Sequence, residues 1–191
     1  TGWRRSDLGG FDYQKDVANS MGRKNQGAFV ELLSDFSQAF FLTAGLRYDD
    51  NEDFGANTSF RLSTAFLLET RAGILKFKAA LGSGFRAPSP FEIQYNRGPY
   101  AFPLATSSPL VQEESRGWEV GAQLDAEKYH LEAIIFDQSV SNAIVFDLAG
   151  YSGYLQDLGR GVSSGIELIA DYRITEALRA CLLYTSDAAD E

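Results

Sequence analysis

Cysteine and histidine each occur once in this chain of 191 residues. A single cysteine excludes an intramolecular disulfide and a cysteine-rich zinc cluster, and a single histidine argues against a histidine-based metal site. No apolar run approaches the roughly 18 residues of a transmembrane helix, which excludes a helical membrane protein. It leaves a membrane β-barrel open, because barrel strands alternate and never produce such a run. Basic residues are outnumbered, 17 against 26, for a formal net charge of −9. That balance argues against non-specific nucleic-acid binding. The chain starts Thr1-Gly2-Trp3-Arg4, with no initiator methionine and no apolar signal core. It reads as a mature protein or an internal fragment, in which missing targeting signals carry no weight.

What the chain has in quantity is Phe (14), Tyr (9) and Gly (18), with hydrophobic residues at 45%. This composition argues against disorder and favours β structure. The periodicity is two over long stretches. In residues 39–49, Phe40, Leu42, Ala44, Leu46 and Tyr48 alternate with Phe41, Thr43, Gly45, Arg47 and Asp49. Residues 59–69 carry the apolar row Phe60, Leu62, Thr64, Phe66 and Leu68. Residues 74–86, 116–125 and 164–172 repeat the alternation, with Lys76, Lys78, Glu119, Gln123, Asp125, Glu167 and Asp171 on the polar row. Residues 26–36 read as another strand, and so do residues 129–146, whose phase slips near Phe136-Asp137 and predicts a bulge there. A last strand opens at Leu178.

Short turns near residues 37–38, 70–72, 126–128 and 173–176 alternate strictly with longer loops near 50–57, 87–114 and 148–153. That is the up-and-down pattern of a barrel with turns at one rim and loops at the other. A soluble barrel or sandwich would bury the apolar row, whereas a membrane barrel turns it to lipid; alternation alone does not separate them. Strands of about ten residues, the turn asymmetry and aromatics near strand ends (Phe40, Tyr48, Tyr129, Tyr172) favour the membrane.

The stretch Leu81-Gly-Ser-Gly-Phe-Arg-Ala-Pro-Ser89 resembles the Gly-x-Gly-Phe-Arg-Ala-Pro signature of TonB-dependent outer-membrane receptors of the vitamin B12 and siderophore type. Leu42-Thr-Ala-Gly-Leu-Arg-Tyr-Asp49 is similar to that family's Leu-x-x-Gly-x-Arg-Tyr-Asp strand. Residues 107–115, SSPLVQEES, stand where the family often has NPNLKPEES. Leu110, Glu113, Glu114 and Ser115 match, while Ser107, Ser108 and Gln112 replace an Asn and two Pro. Trp118-Glu-Val-Gly121 continues that strand, and residues 157–167 resemble the family's Asn-Val-Gly…Gly-Val-Glu block with Asp157 in place of Asn. The five motifs stand in family order over residues 27–180.

The resemblance implies an all-β fold, an antiparallel up-and-down transmembrane β-barrel fragment of about eight strands out of about 22, present as an open curved sheet. It implies import of a scarce ligand, such as a siderophore–iron chelate or cobalamin, across the bacterial outer membrane. The implied partners are outer-membrane lipid, an N-terminal plug domain, an inner-membrane energising complex and a small-molecule chelate. Neither plug nor energising box is visible in these residues. No cofactor, catalytic residue, metal site or nucleic-acid partner is expected. The rivals are a complete small eight-stranded structural barrel and a secreted β-sandwich binding module.

Candidate chemistry is sparse. His130 lies at a strand start beside a short turn, away from the long loops, and reads as a rim residue rather than a triad member. Asp50, Glu52 and Asp53 read as a solvated loop tip rather than a Ca²⁺ site. Tyr95, Arg97, Tyr100 and Phe102, on the longest loop, are the candidate ligand contacts, since aromatics and an arginine suit a planar or anionic chelate. Lys76 and Lys78 are expected to pair with Glu119, Gln123 or Asp125 on the neighbouring strand. Residues 1–180 form the partial barrel domain. Residues 181–191 read as a non-native tail. Cys181-Leu-Leu-Tyr-Thr-Ser-Asp-Ala-Ala-Asp190 resembles a translated sequencing adapter, because TGT CTC TTA TAC ACA TCT GAC GCT GCC GAC encodes those ten residues in order. Residues 186–191 are then expected to pack on nothing.

Overall fold

The structure, a computed structural model, describes residues 3–4, 20–21 and 23–190, with side chains from 23 to 186. Two residues each of β1 (Trp3–Arg4) and β2 (Ser20–Met21) form a small antiparallel pair. The main sheet is built from β3 (Asn25–Phe36), β4 (Phe40–Asn51), β5 (Gly55–Thr70), β6 (Gly73–Arg86), β7 (Glu113–Asp125), β8 (Tyr129–Ser141), β11 (Arg160–Arg173) and β12 (Arg179–Asp190). Its eight strands are antiparallel and lie in chain order, with β3 and β12 at the edges. The loop after β6 holds two short helices, α1 (Pro90–Asn96) and α2 (Pro103–Thr106). Between β8 and β11 a separate hairpin rises, formed by β9 (Ile144–Phe146) and β10 (Tyr154–Gln156). The turns at 37–39, 71–72, 126–128 and 174–178 leave one rim of the sheet, and the long connections 87–112 and 142–159 leave the other. The loop expected over 50–57 is corrected to a tight connection of residues 52–54 at that second rim, because β4 and β5 pair as far as Asn51↔Gly55.

Every registered pair joins like row to like row. Leu62, Leu81 and Trp118 are successive partners across β5, β6 and β7, and Phe40, Phe66, Phe77 and Ala122 across β4 to β7. Almost no apolar side chain is covered by the chain itself. Among the described residues Ala105 and Pro88 are the buried apolar side chains, while Phe60, Phe66, Phe77, Leu81, Trp118, Val120 and Ile135 all stand exposed. A β-sandwich would cover such a row with a second sheet. Each large side chain left in water forfeits about 1.5–3 kcal/mol of transfer free energy, so this row requires a non-aqueous neighbour.

The apolar row is not level with the register. Toward the loop rim it ends at Phe60 on β5, Leu81 on β6, Trp118 on β7, Ile135 on β8 and Ile166 on β11, where the next residue on that face is Thr58, Ser83, Arg116, Asp137 and Ser164. Toward the turn rim it ends at Phe40 on β4, Leu124 on β7 and Tyr172 on β11, the last directly paired with Tyr129.

Several further expectations need correction. No bulge occurs near Phe136: pairing runs without interruption through Phe136↔Gly165 and Asp137↔Ser164 on one side and through Glu119↔Phe136 on the other. The apparent slip is chemical. Ile134 and Phe136 are apolar residues on the charged row, and each lies over a glycine of a neighbouring strand. A Cβ added at Gly121 would meet Ile134 Cγ1 at 3.2 Å, and one at Gly165 would meet the Phe136 ring at 2.9 Å. The strand itself ends at Ser141, followed by Asn142 with φ 57°, and 144–146 belong to the separate hairpin.

Lys78, for its part, pairs with Glu132 on β8 and not with a β7 carboxylate. Its register partner is Gly121, which has no side chain to meet it. The ammonium therefore crosses the glycine to the next strand. Asp125 instead accepts hydrogen bonds from Gln123 and engages His130 Nδ1 at 2.6 Å.

The tail also departs from expectation. The backbone of β12 pairs with β11 from Arg179 to Asp190, the last partner being Val162, so residues 186–190 do not stand free; residue 191 lies outside the described residues. Edge pairing demands an extended backbone and places little requirement on side chains.

Candidate functional site

Three loops share the long-loop rim: 52–54, 87–112 and 142–159, taken here as the first, second and third. Their assembly begins where β6 leaves the sheet. Arg86 Nη1 donates to Glu92 Oε1 and Oε2 at 3.1 and 3.2 Å, and Nη2 donates to Glu113 Oε1 at 2.8 Å. Glu113 Oε1 also accepts the backbone N–H of Ile144 at 2.7 Å. One guanidinium thus joins the end of β6, helix α1, the start of β7 and, through Glu113, the hairpin of the third loop.

Helix α1 forms because Ser89 and Glu92 make a capping box: Glu92 N–H donates to Ser89 Oγ at 3.2 Å and Ser89 N–H to Glu92 Oε2 at 2.6 Å, with Pro90 in the first turn. The helix then packs on the hairpin through rings set edge to face. Tyr95 meets Phe146 at 5.5 Å and Tyr154 at 5.6 Å, and Phe146 meets Tyr154 at 5.3 Å. Asn96 brackets the backbone of Tyr154, donating to its carbonyl at 2.7 Å and accepting its N–H at 2.8 Å. Burial in this cluster raises the Tyr154 hydroxyl above its ordinary pKa. Phe102 N–H donates to Ser152 O at 2.9 Å, and Ala105 is buried close to Gly153.

The tip of the third loop is tied by Asp147. Its carboxylate accepts the N–H groups of Ala149, Gly150 and Ser152 and the Ser152 hydroxyl, at 2.6–3.3 Å. These donors, the Gly150 N–H foremost, lower its pKa to about 2. A carboxylate with a depressed folded pKa contributes stability that is complete above its unfolded value near 3.8 and lost as pH falls through the folded one. The turn is therefore expected to keep its amide protection down to about pH 4 and to lose it progressively toward pH 2. Asp147→Asn should remove that dependence and weaken protection at neutral pH. Hydrogen exchange at Ala149 and Gly150 reads both effects.

Of the four candidate contacts, Tyr95 lies inside the aromatic cluster and holds the loop together. Arg97, Tyr100 and Phe102 are exposed, the last two at 51% and 56%. In the first loop Asp53 pairs with Arg23, which also lies over the Phe54 ring, while Asp50 and Glu52 are exposed. Among the described residues no three His, Cys, Asp or Glu side chains converge as metal ligands. His130 sits at the turn rim between Asp125 and Glu132. The sequence reading missed Asn96, Gln112 and the structural role of Arg86. The S-x-x-E spacing of Ser89 and Glu92 was the one available signal for α1.

A family profile described as "TonB dependent receptor-like, beta-barrel" matches residues 1–191. The chain belongs to the TonB-dependent receptor β-barrel family. It is 24% identical over 172 residues to the vitamin B12 transporter BtuB of Vibrio cholerae, a match covering 86% of this chain and 26% of the relative. Its fold is that of the ferric enterobactin receptor of Pseudomonas aeruginosa, solved as a mutant with enterobactin (TM-score 0.72, 18% identity, 91% of this chain and 28% of that one). The siderophore receptor PirA of the same organism also shares it (TM-score 0.66, 22% identity, 89% and 33%). The chain thus spans about a quarter of the curated relatives' length. As an outer-membrane TonB-dependent receptor barrel segment it turns the apolar row to lipid and the charged row to the barrel interior, and its loop rim is the outer one.

Proposed function

We propose that this segment belongs to a receptor that imports a scarce ligand, a siderophore–iron chelate or cobalamin, and that it performs no enzymatic step. The carrying observation is the joined loop block, on which Arg97, Tyr100 and Phe102 are each exposed. An arginine with two aromatic rings suits an anionic or planar chelate. The functions of these relatives, vitamin B12 transport and ferric enterobactin reception, support the same reading. On it, the charged row faces an N-terminal plug, an inner-membrane complex supplies energy, and lipid surrounds the apolar row.

The test is to recover the full coding sequence and express it in a host lacking its own receptors. Energy-dependent uptake of either labelled cobalamin or a labelled ferric catecholate is expected. Replacing Arg97, Tyr100 and Phe102 together by Ala should weaken binding at least about tenfold, or about 1.4 kcal/mol. Uptake of neither probe, or binding indifferent to the triple variant, would overturn the site.

Residues 181–191 are proposed to be non-native. The ten-residue adapter match supports this, as does Leu183, which is 71% exposed on the charged row opposite Ile169. Amplification from source DNA decides it: native barrel sequence continuing in frame through Cys181 would refute the proposal.

A further inference from the structure

Beyond the ligand face, the outer rim carries a set of side-chain amides that join all three loops. Gln112 is at its centre. Its Nε2 donates to Phe54 O in the first loop at 2.7 Å, and its Oε1 accepts from Asn57 Nδ2 where β5 begins. Its backbone carbonyl lies 3.5 Å from Asn142 Nδ2 in the third loop. The next links close a ring: Gln156 Nε2 donates to Asn142 O, and Gln156 Oε1 accepts the Val111 N–H at 2.8 Å. A side-chain amide is suited to this position because it donates and accepts at once. Gln112 stands where the resembling family motif has proline, a residue with no side-chain polar atom and no N–H. The connection from the second loop to the first is therefore a property of this chain and not of the motif.

We propose that Gln112 is a positioning residue that joins the three outer loops into one preassembled block, so that the ligand face on the second loop is held in place before any ligand arrives. The inference rests on the reading of these loops as the outer mouth of a receptor. Its consequence is mechanical. The Arg86–Glu113 contact fastens the second and third loops at their base, whereas Gln112 reaches from the second loop to Phe54 in the first loop and to Asn57 at the start of β5. Without Gln112 this tie between the first loop and the second loop that carries Arg97, Tyr100 and Phe102 is lost.

The experiment uses the full receptor, purified in detergent with no ligand, in a background free of other cysteines. Spin labels at Glu52→Cys and Ser108→Cys report the distance between the first and second loops by pulsed electron paramagnetic resonance. The expected result is a single narrow distribution for Gln112. It should become at least about twofold broader in Gln112→Ala and in Gln112→Pro, while the heat resistance of the barrel stays the same. Gln112→Glu keeps an acceptor for Asn57 but sets a carboxylate beside the Phe54 carbonyl, and should broaden the distribution as well. A broad distribution with Gln112 intact, or an unchanged one in Gln112→Ala, would overturn the proposal. Neither reading depends on which ligand the receptor carries. A failure of the uptake assay therefore leaves this result standing, and the reverse also holds.

Discussion

Arg86→Ala is expected to unfasten the second and third loops while leaving the sheet intact. The substitution strips counter-charge from Glu92 and Glu113, whose side chains are 11% and 17% exposed. Breaking a buried ion pair costs about 3–5 kcal/mol. Arg86 itself is 45% exposed, and solvent screening reduces the local loss to about 2 kcal/mol. With Glu92 unpaired the capping box loses its support, and Ile144 loses an acceptor held in place. Limited proteolysis of the full receptor should then cut within residues 97–106 or 148–151 at least about ten times faster, with the barrel still resistant to heat. Arg86→Lys should recover only part of the protection, since an ammonium cannot fork between two carboxylates. Equal cleavage of wild type and Arg86→Ala would show that the aromatic cluster alone holds the block.

Expressed by itself, the 191-residue chain is expected to aggregate. The sheet does not close: β3 and β12 are not paired with each other. On β3 the side chains of Phe29, Val30, Leu32 and Leu33 are 55–74% exposed, on a strand whose outer backbone edge pairs with no other strand among the described residues. A long, flat, apolar edge is a template for pairing with other chains. Nearly all of the chain should sediment from buffer. In detergent it should lack the heat-dependent gel shift of a closed barrel, a shift that the full receptor should show. A detergent-free soluble monomer would revive the β-sandwich reading. A heat-shifting barrel made by this chain alone would revive the small-barrel rival.

The sheet was legible because alternation is a direct record of two solvents. Wherever both faces kept their chemistry, as in β4, β5, β6 and β7, strand and row followed from the residues. Legibility failed where one row borrowed the other's chemistry. Phe136 occupies a charged-row position above Gly165 and so imitated a bulge. Pairing also failed to follow nearest-neighbour logic at Gly121, because an absent side chain lets Lys78 reach one strand further. In the loops the gap was larger. Tyr95 was read as a ligand contact from its residue type, but its ring packs among Phe146 and Tyr154, some 50 residues away in the chain. Nothing local announces such a contact, nor the reach of Gln112 to Phe54. Arg97, Tyr100 and Phe102 stand exposed on the long loop, which is all the structure adds to their proposal as contacts from residue type.

The oblique boundary of the apolar row measures how steeply the strands cross the bilayer. Leu62, Leu81, Trp118, Asp137 and Ser164 form one register line. The lipid-facing run ends two residues above that line at Phe60 on β5 and two residues below it at Ile166 on β11. Four residues at about 3.4 Å descend about 14 Å across four strand spacings of about 4.8 Å, a slope of about 35°. The lower boundary falls by the same four residues between Phe40 on β4 and Tyr172 on β11, over five spacings, which gives about 30°. Both lie near the 35–45° of outer-membrane barrels. Depth and register are consequently different coordinates. Phe60, Trp118 and Ile166 mark one level of the bilayer although no two of them are partners. A charge placed at Ile135 would sit nearer the headgroups than one at Thr64, its register equivalent three strands away.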